Sequence, residues 1–558
     1  MIRFTHQNRQ RLGFFLALLV LSAGGMAALL RSTPYGMGLV NDSAIYLEGA
    51  ANILTGNGYV RISGGGEVKQ ITHFPPLFSF VLAAISLTGL DLLQAARLAI
   101  TLLYGLDICL VGLCVYQISR SVPFALLGSL LLAVSDVHIG VYTMVLSEPL
   151  FLTWMLAAYL CLSEAVERKS RLWLVITGIM LSLAYLTRYA GASILITMVV
   201  VLIVVRFRIK KQSTGNGIYH TWKSSFFYGL VSDLVFLLLG ALPLVLGWTV
   251  YNRMVSGSSA LSNRVLTWHP PAWQTLFEAF KNLLTWLAPD DWLIAQPFLG
   301  RALSLASLLL LPGFMAWVGW VTWTNARGEK KPGNSGRGDV LAFTLAWHVL
   351  VYLGFLVFSL SLFDASTPLN DRILCVNYIP EIILFASVLA WAWQASRRLS
   401  PRLPQWAGAA ARWGLVIASL GLALMSARDG MTTVRQLGQE GQGFAHRGWR
   451  ESPAVETVRG LPAVIIYTNK PAAIYLLTGK SAYVTPTPTD AVTGLEREGY
   501  AADLVEMQHR VRSGQAVLVL FSLRNSDDPE EVALFDALSA GLPVLADYGD
   551  DVIFGLLP

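Results

Sequence analysis

The chain has 558 residues, of which 54% are hydrophobic and only 14% charged, with a mean hydropathy of +0.55 and a net charge of +6. That much apolar surface exceeds what one soluble core can hide, which excludes an ordinary globular protein and makes this a polytopic membrane protein. The charge sits largely in short flanks and forms no basic stripe with interleaved aromatics, so no nucleic acid is implied as a partner.

In chain order, the first apolar run, Leu12 to Leu30, has about the length that spans a bilayer. It lacks a small-residue cleavage site and reads as an anchor rather than a removed signal peptide. Further runs lie near 96–118, 123–141, 149–166, 172–189, 191–206, 229–250, 301–323, 339–362, 373–394 and 409–426. The expectation is therefore an α-helical polytopic membrane protein of about 11 transmembrane helices. An odd count puts the termini on opposite sides. Loops at 1–11, 119–122, 167–171, 206–228, 324–338 and 395–412 hold twenty of the 41 Lys and Arg residues in short segments such as "RFRIKK", and the positive-inside rule makes them cytoplasmic. The predicted location is the inner (plasma) membrane, with the N-terminus cytoplasmic and the C-terminal tail extracytoplasmic.

Residues 1–430 then form a transmembrane domain with two long outer loops, 31–95 and 251–300, and loops of such length are usually functional. The first holds a predicted short helix from Ser43 to Leu54, a Gly-rich turn at "SGGGE", and "HFPPLFSFVLAAISLTGL", an apolar run that reads as a re-entrant or interfacial helix. The second carries Trp268, Trp273, Trp286 and Trp292, which suits a segment lying at the membrane interface. Residues 431–558 change texture to a small soluble α/β domain. "AVIIY" and "AVLVLF" predict buried strands, and "PAAIYLLTG" and "DPEEVALFDALSAG" predict helices ending at Gly479 and Gly541. The tail has no nucleotide fingerprint and no GxSxG, so it is not expected to be catalytic. All four cysteines fall inside apolar runs without metal-ligand spacing and read as small core residues.

Five charged or titratable positions, Asp42, His73, Glu148, Arg188 and Arg372, adjoin apolar helices on the predicted outer face. Each has a structural alternative. Asp42 in "NDSAIY" is well placed to cap the following helix, Glu148 in "LSEPLF" to complement a helix dipole, Arg188 and Arg372 to snorkel, and His73 to pack. Their common side favours a site, since carboxylates, guanidinium groups and an imidazole beside lipid are what handling an anionic lipid and deprotonating a hydroxyl require. At 100° per residue Asp42, Ile45, Tyr46, Gly49 and Ile53 share one face of the first outer helix while Glu48 points away, so Asp42 and Glu48 are not a carboxylate pair. Asp107, inside a span, either pairs with another helix or acts as a neutral acid.

The order "D-x-x-x-Y-x-x-x-A-x-x-x-x-x-G-x-G-Y" from Asp42 to Tyr59, then "HFPPL", "AARLAITLLYGL", "SEPLF", "YLTRYAG" and "TPLNDRILCVNYIP", resembles the polytopic glycosyltransferases of the C-type fold. The closest likeness is to the protein O-mannosyltransferase branch that includes the lipid A aminoarabinose transferases, and it extends to the tail at "IYTNKPAAIYLLTGK". The resemblance implies a sugar moved with inversion from a polyprenyl-phosphate donor to a hydroxyl acceptor, a lipid, glycan or protein, on the outer face. It also implies Asp42 as general base and Glu148 as the acidic position opening the fourth span. Tyr46, His73, Arg188, Tyr189 and Arg372 become substrate-binding positions by the same resemblance. The family's acidic doublet is absent, since Asn41 precedes Asp42, so a divalent metal is possible but not indicated and no cofactor is assigned. A lipid or glycan transporter is the rival reading, and a polysaccharide polymerase or ligase of related architecture a third. Transporters concentrate ionisable residues near mid-membrane and often carry internal repeats, whereas here the charges sit at one lip, only Asp107 looks central and no internal repeat is evident.

Overall fold

The computed structural model describes residues 6–62, 67–213, 222–256, 267–282, 336–363, 367–399, 405–490 and 493–556. The predicted span at 301–323, Trp286 and Trp292, and most of the "SGGGE" turn lie outside these residues.

The apolar runs form helices because each is long and satisfies its own backbone in lipid, where interior prolines such as Pro243 and Pro380 are tolerated. The first part of the chain gives α1 (His6–Ser32), α2 (Asn41–Leu54), α3 (Leu77–Ser86), α4 (Leu92–Ser119), α5 (Val122–Val134), α6 (Asp136–Tyr142) and α7 (Glu148–Arg168). There follow α8 (Arg171–Thr187), α9 (Gly191–Ser213), α10 (Trp222–Ser256), α11 (Trp273–Asn282), α12 (Gly336–Leu362), α13 (Asp371–Leu399) and α14 (Gln405–Glu440). Seven of the described helices are long and apolar enough to cross a membrane, or eight if α5 and α6 count as one, while α8 and the apolar part of α9 are shorter. The protein is thus multi-pass, and the described residues account for fewer full-length spans than the eleven expected.

The run at 123–141 is not one straight helix: α5 and α6 meet at 57°. Ser135 ends the first and caps the second, its hydroxyl accepting from the His138 backbone N–H at 3.4 Å. Hydropathy alone hides such a break, because the two pieces together still read as one apolar span despite Asp136 and His138. α4 lies at the centre, against α1, α5, α7, α12 and α13. Asp107 on α4 is fully buried and accepts hydrogen bonds from the Tyr142 hydroxyl (2.6 Å, α6) and the Thr153 hydroxyl (2.8 Å, α7), so it ties three helices together rather than facing the cluster described below. On the outside, Leu12, Leu16 and Val20 of α1, Leu239 and Leu246 of α10, and Trp413, Ile417 and Leu424 of α14 stay exposed, an apolar belt suited to lipid.

α8 and α10 approach backbone to backbone. A Cβ on Gly178 would stand 2.0 Å from the Leu237 carbonyl oxygen, and one on Gly240 2.1 Å from that of Val175. Small residues permit such contact where lipid supplies no hydrophobic drive between helices. Gly240→Val is expected to push the pair apart and destabilise the protein by about 3 kcal/mol, read as a lowered thermal midpoint in detergent.

α14 continues through Met431 to Glu440, so the helix overruns the change of sequence texture. The tail then forms a five-stranded sheet in the order β4-β3-β5-β7-β6. Its strands are β3 (Ile465–Thr468), β4 (Tyr483–Val484), β5 (Ala516–Leu520), β6 (Val544–Asp547) and β7 (Val552–Phe554), with β3 parallel to β4 and β5 and the last two pairings antiparallel. Helices α15 (Pro453–Gly460), α16 (Pro471–Thr478), α17 (Tyr500–Arg512) and α18 (Pro529–Ser539) accompany it. Gly479 (φ 73°) closes α16 in the left-handed conformation that glycine adopts without penalty. A small hairpin, β1 (Val60–Ile62) with β2 (Val68–Gln70), follows α2. The tail sits on the α2 end of the helix bundle: Phe444 N–H bonds the Leu39 carbonyl at 2.7 Å, and α16 packs on α2.

Candidate active site

The start of α2 is fixed by a short zipper of backbone bonds. Gly38 N–H donates to the Thr143 carbonyl at 2.7 Å and Val145 N–H to the Gly38 carbonyl at 2.9 Å, while the Ser43 hydroxyl donates to the Val145 carbonyl at 2.8 Å. The segment between α6 and α7 is thereby laid against the loop that begins α2, which brings the first turns of both helices to one place. Asp42 stands in one first turn and Glu148 in the other. Val40, not Asp42, occupies the N-cap of α2, so Asp42 does not cap this helix, and its carboxylate is used elsewhere.

Arg372, in the first turn of α13, bridges the two acids. Its Nε donates to Glu148 Oε1 at 2.7 Å and its Nη2 pairs with Asp42 Oδ2. Arg188, which ends α8, places Nη1 2.8 Å from Glu148 Oε2 and donates to the Ser147 hydroxyl at 3.2 Å. Glu148 is 1% exposed, and two guanidinium groups offset the cost of burying its charge. Burial is the largest influence on Arg188 and works against its charge, and the neighbouring Glu148 carboxylate opposes it. These four side chains form a neutral array of two carboxylates and two cations. Both guanidiniums are ion-paired to carboxylates in the array.

Tyr46, one turn along α2 from Asp42, is buried, with its hydroxyl 2.7 Å from the Ser147 hydroxyl and its ring edge-on to Phe74 and Phe78. Burial pushes its phenol well above the ordinary value, which leaves it a neutral hydrogen-bonding group. The Tyr189 hydroxyl donates to the Thr72 carbonyl at 2.8 Å and receives the Trp248 indole N–H at 3.1 Å, so it anchors the His73 loop to the end of α8. Glu48 turns away from Asp42, as the helical spacing predicts, and accepts a hydrogen bond from the Ile62 N–H.

Above the array opens a cavity of ≈ 340 Å³. Asp42, Tyr46, His73 and Arg188 provide its polar side, and Tyr352, Phe355, Leu356 and Phe358 of α12 form an apolar wall. Glu148 and Arg372 lie behind this lining. Sequence reasoning missed Ser147, which links Tyr46 to Arg188, and Tyr352, whose hydroxyl donates to the Ile373 carbonyl at 3.0 Å. Ser147 stands beside the "EP" pair, where a helix-start serine reads as a cap, and Tyr352 sits inside a featureless apolar run, so neither carries a distinguishing local signal. Among the described residues no group of three or more His, Cys, Asp or Glu side chains gathers as a metal site. Both carboxylates nearest the cavity are instead bound to Arg372.

The fold and this geometry have counterparts among known proteins. Residues 68–247 match the family of dolichyl-phosphate-mannose-protein mannosyltransferases, a stretch that contains His73, Glu148, Arg188 and Tyr189 but neither Asp42 nor Arg372. The structure resembles ArnT from Cupriavidus metallidurans bound to undecaprenyl phosphate (14% identity, TM-score 0.53, 96% of this chain and 97% of that one). It resembles the apo form of the same protein equally (14% identity, TM-score 0.54, the same coverage). It also resembles the Archaeoglobus fulgidus oligosaccharyltransferase (10% identity, TM-score 0.52, 95% of this chain and 73% of that one). No curated protein matches the sequence. The chain therefore has the C-type glycosyltransferase fold over nearly its whole length, and the resemblance drawn from its sequence holds at that level.

Proposed function

We propose that this protein is an integral-membrane glycosyltransferase that moves a sugar from a polyprenyl-phosphate donor to a hydroxyl acceptor at the extracytoplasmic face, with inversion. The observation that carries this reading is the cavity in which Asp42 and Arg188 face an apolar wall, an arrangement suited to a lipid whose charged end meets a base. The undecaprenyl phosphate bound to the similar ArnT fits the same chemistry. The charges gather at the ends of α2, α7, α8 and α13 rather than in mid-helix, which favours an enzyme over a carrier lined by intramembrane charges.

In this reading Arg372 holds Asp42 by Oδ2, and the other carboxylate oxygen takes the proton of the acceptor hydroxyl. The acceptor oxygen then forms a bond to the anomeric carbon as the bond from that carbon to the phosphate oxygen breaks. The leaving group is the polyprenyl phosphate, and the developing charge is stabilised by Arg188, with His73 beside it. Glu148 is buried under two guanidinium groups, so it acts by positioning them rather than as a second nucleophile or acid. One base and a direct displacement give inversion.

Two measurements test the reading: binding of undecaprenyl phosphate to the purified full-length protein, and mass spectrometry of envelope glycans and lipid-linked sugars from cells with and without it. A sugar increment dependent on the protein is expected. Identical glycans and lipid-linked sugars, together with no binding, would refute it. Sidedness has its own test. A cysteine at exposed Ser513 in the tail is expected to react with a membrane-impermeant maleimide in intact cells, and reaction only after the membrane is opened would reverse the topology.

A further inference from the structure

Two more hollows adjoin the cavity on the side of the tail. The outer one, ≈ 390 Å³, lies between α2 with its hairpin and the tail, and its tail wall includes Asn469, Ala472, Tyr475 and Tyr483. The middle one, ≈ 410 Å³, shares Ile45, Arg61 and Lys69 with the outer hollow, and shares His73 and Phe74 with the cavity of Asp42. Shared walls set these three hollows in a row, a segmented cleft running from the soluble tail to the cavity of Asp42.

Its charge is uneven. Among the described residues Glu48 is the only carboxylate lining the outer hollow, and it is buried, engaged by the Ile62 N–H and faced by Arg61. The middle hollow is lined by Arg61, Lys69 and His73, with no carboxylate among the described residues. Lys69 has a solvated partner in Glu67 at 3.5 Å, a pair exposed enough to yield to a competing anion. Tyrosine rings on the tail wall add flat, amphipathic surface with hydroxyls.

We propose that this cleft is the acceptor's path: it admits an anionic saccharide from the aqueous side, Arg61 and Lys69 draw in its acidic groups, and the tail supplies the opposite wall. The inference rests on the glycosyltransferase reading above. It gives the two substrates separate approaches, the apolar α12 wall for the lipid donor and the polar cleft for the acceptor. A hydroxyl delivered through it arrives past His73 at Asp42.

The test uses the full-length protein with two independent changes, Arg61→Ala combined with Lys69→Ala to remove the charge, and Ala472→Trp to fill the cleft without altering charge. Undecaprenyl phosphate binding in detergent reports the donor side, and the protein-dependent sugar increment on envelope glycans reports the acceptor side. Both variants are expected to bind undecaprenyl phosphate within about twofold of wild type while the increment falls by about tenfold or more. The increment should lie on an acidic, water-soluble glycan, and Arg61→Lys should retain more of it than Arg61→Ala. Undiminished increment in both variants overturns the proposal, and so does an increment carried by a neutral glycan or by an organic-extractable lipid. Failure of the wild type itself to bind undecaprenyl phosphate has a different meaning, since it removes the donor reading on which the cleft's role depends.

Discussion

Asp42→Asn is expected to lower sugar transfer by about 10²–10⁴-fold while the protein still folds, inserts and binds undecaprenyl phosphate. The change preserves size and keeps an oxygen for the Arg372 contact, but removes the group able to take a proton. Arg188 and His73, which line the cavity beside it, are untouched, so donor binding should persist. The measurement is transfer and undecaprenyl phosphate binding on one purified preparation. Unimpaired transfer would leave Asp42 as an ion-pair partner of Arg372 and no more. Lost binding together with a lowered thermal midpoint would make it structural.

Glu148→Ala is expected to be the most damaging substitution for stability in this region, by about 3–5 kcal/mol, because it strips the shared counter-ion from two arginines packed at the helix ends. Truncating one member of such an array costs more than the array contributes, since the remaining charges stay desolvated. Glu148→Ala combined with Arg372→Gln should therefore recover part of the lost stability, a non-additivity that thermal denaturation of the single and double variants reads directly. If the two losses simply add, the ion pairs are not coupled and Glu148 is an ordinary helix-start acid. Arg188→Gln is expected to weaken undecaprenyl phosphate binding as well, and lysine to restore it only partly for want of the forked geometry.

The membrane class, the positions of the described apolar helices and the α/β texture of the tail follow from local properties of the sequence. A run of twenty apolar residues must become a helix in lipid whatever surrounds it, and a glycine such as Gly479 ends a helix through its own conformational freedom. Helical periodicity likewise separates Glu48 from Asp42 without reference to any tertiary contact. The sequence also marks Asp42, Glu148, Arg188 and Arg372 individually, because charge beside long apolar runs is costly enough to need a reason.

What only the tertiary structure decides is who pairs with whom. Arg372 lies 330 residues from Asp42 and 224 from Glu148, and no local rule links them. Their meeting depends on the zipper that lays the segment between α6 and α7 against the start of α2, and on α13 packing against α4, α5 and α12. The bend at Ser135, hidden in a run that hydropathy reads as a single span, belongs to the same kind: a capping serine fixes where the helix breaks, and packing of α14 at Gly430 against the Val134 carbonyl fits the turn. Local chemistry assigns each residue its cost of burial, and the fold alone supplies the partner that offsets it.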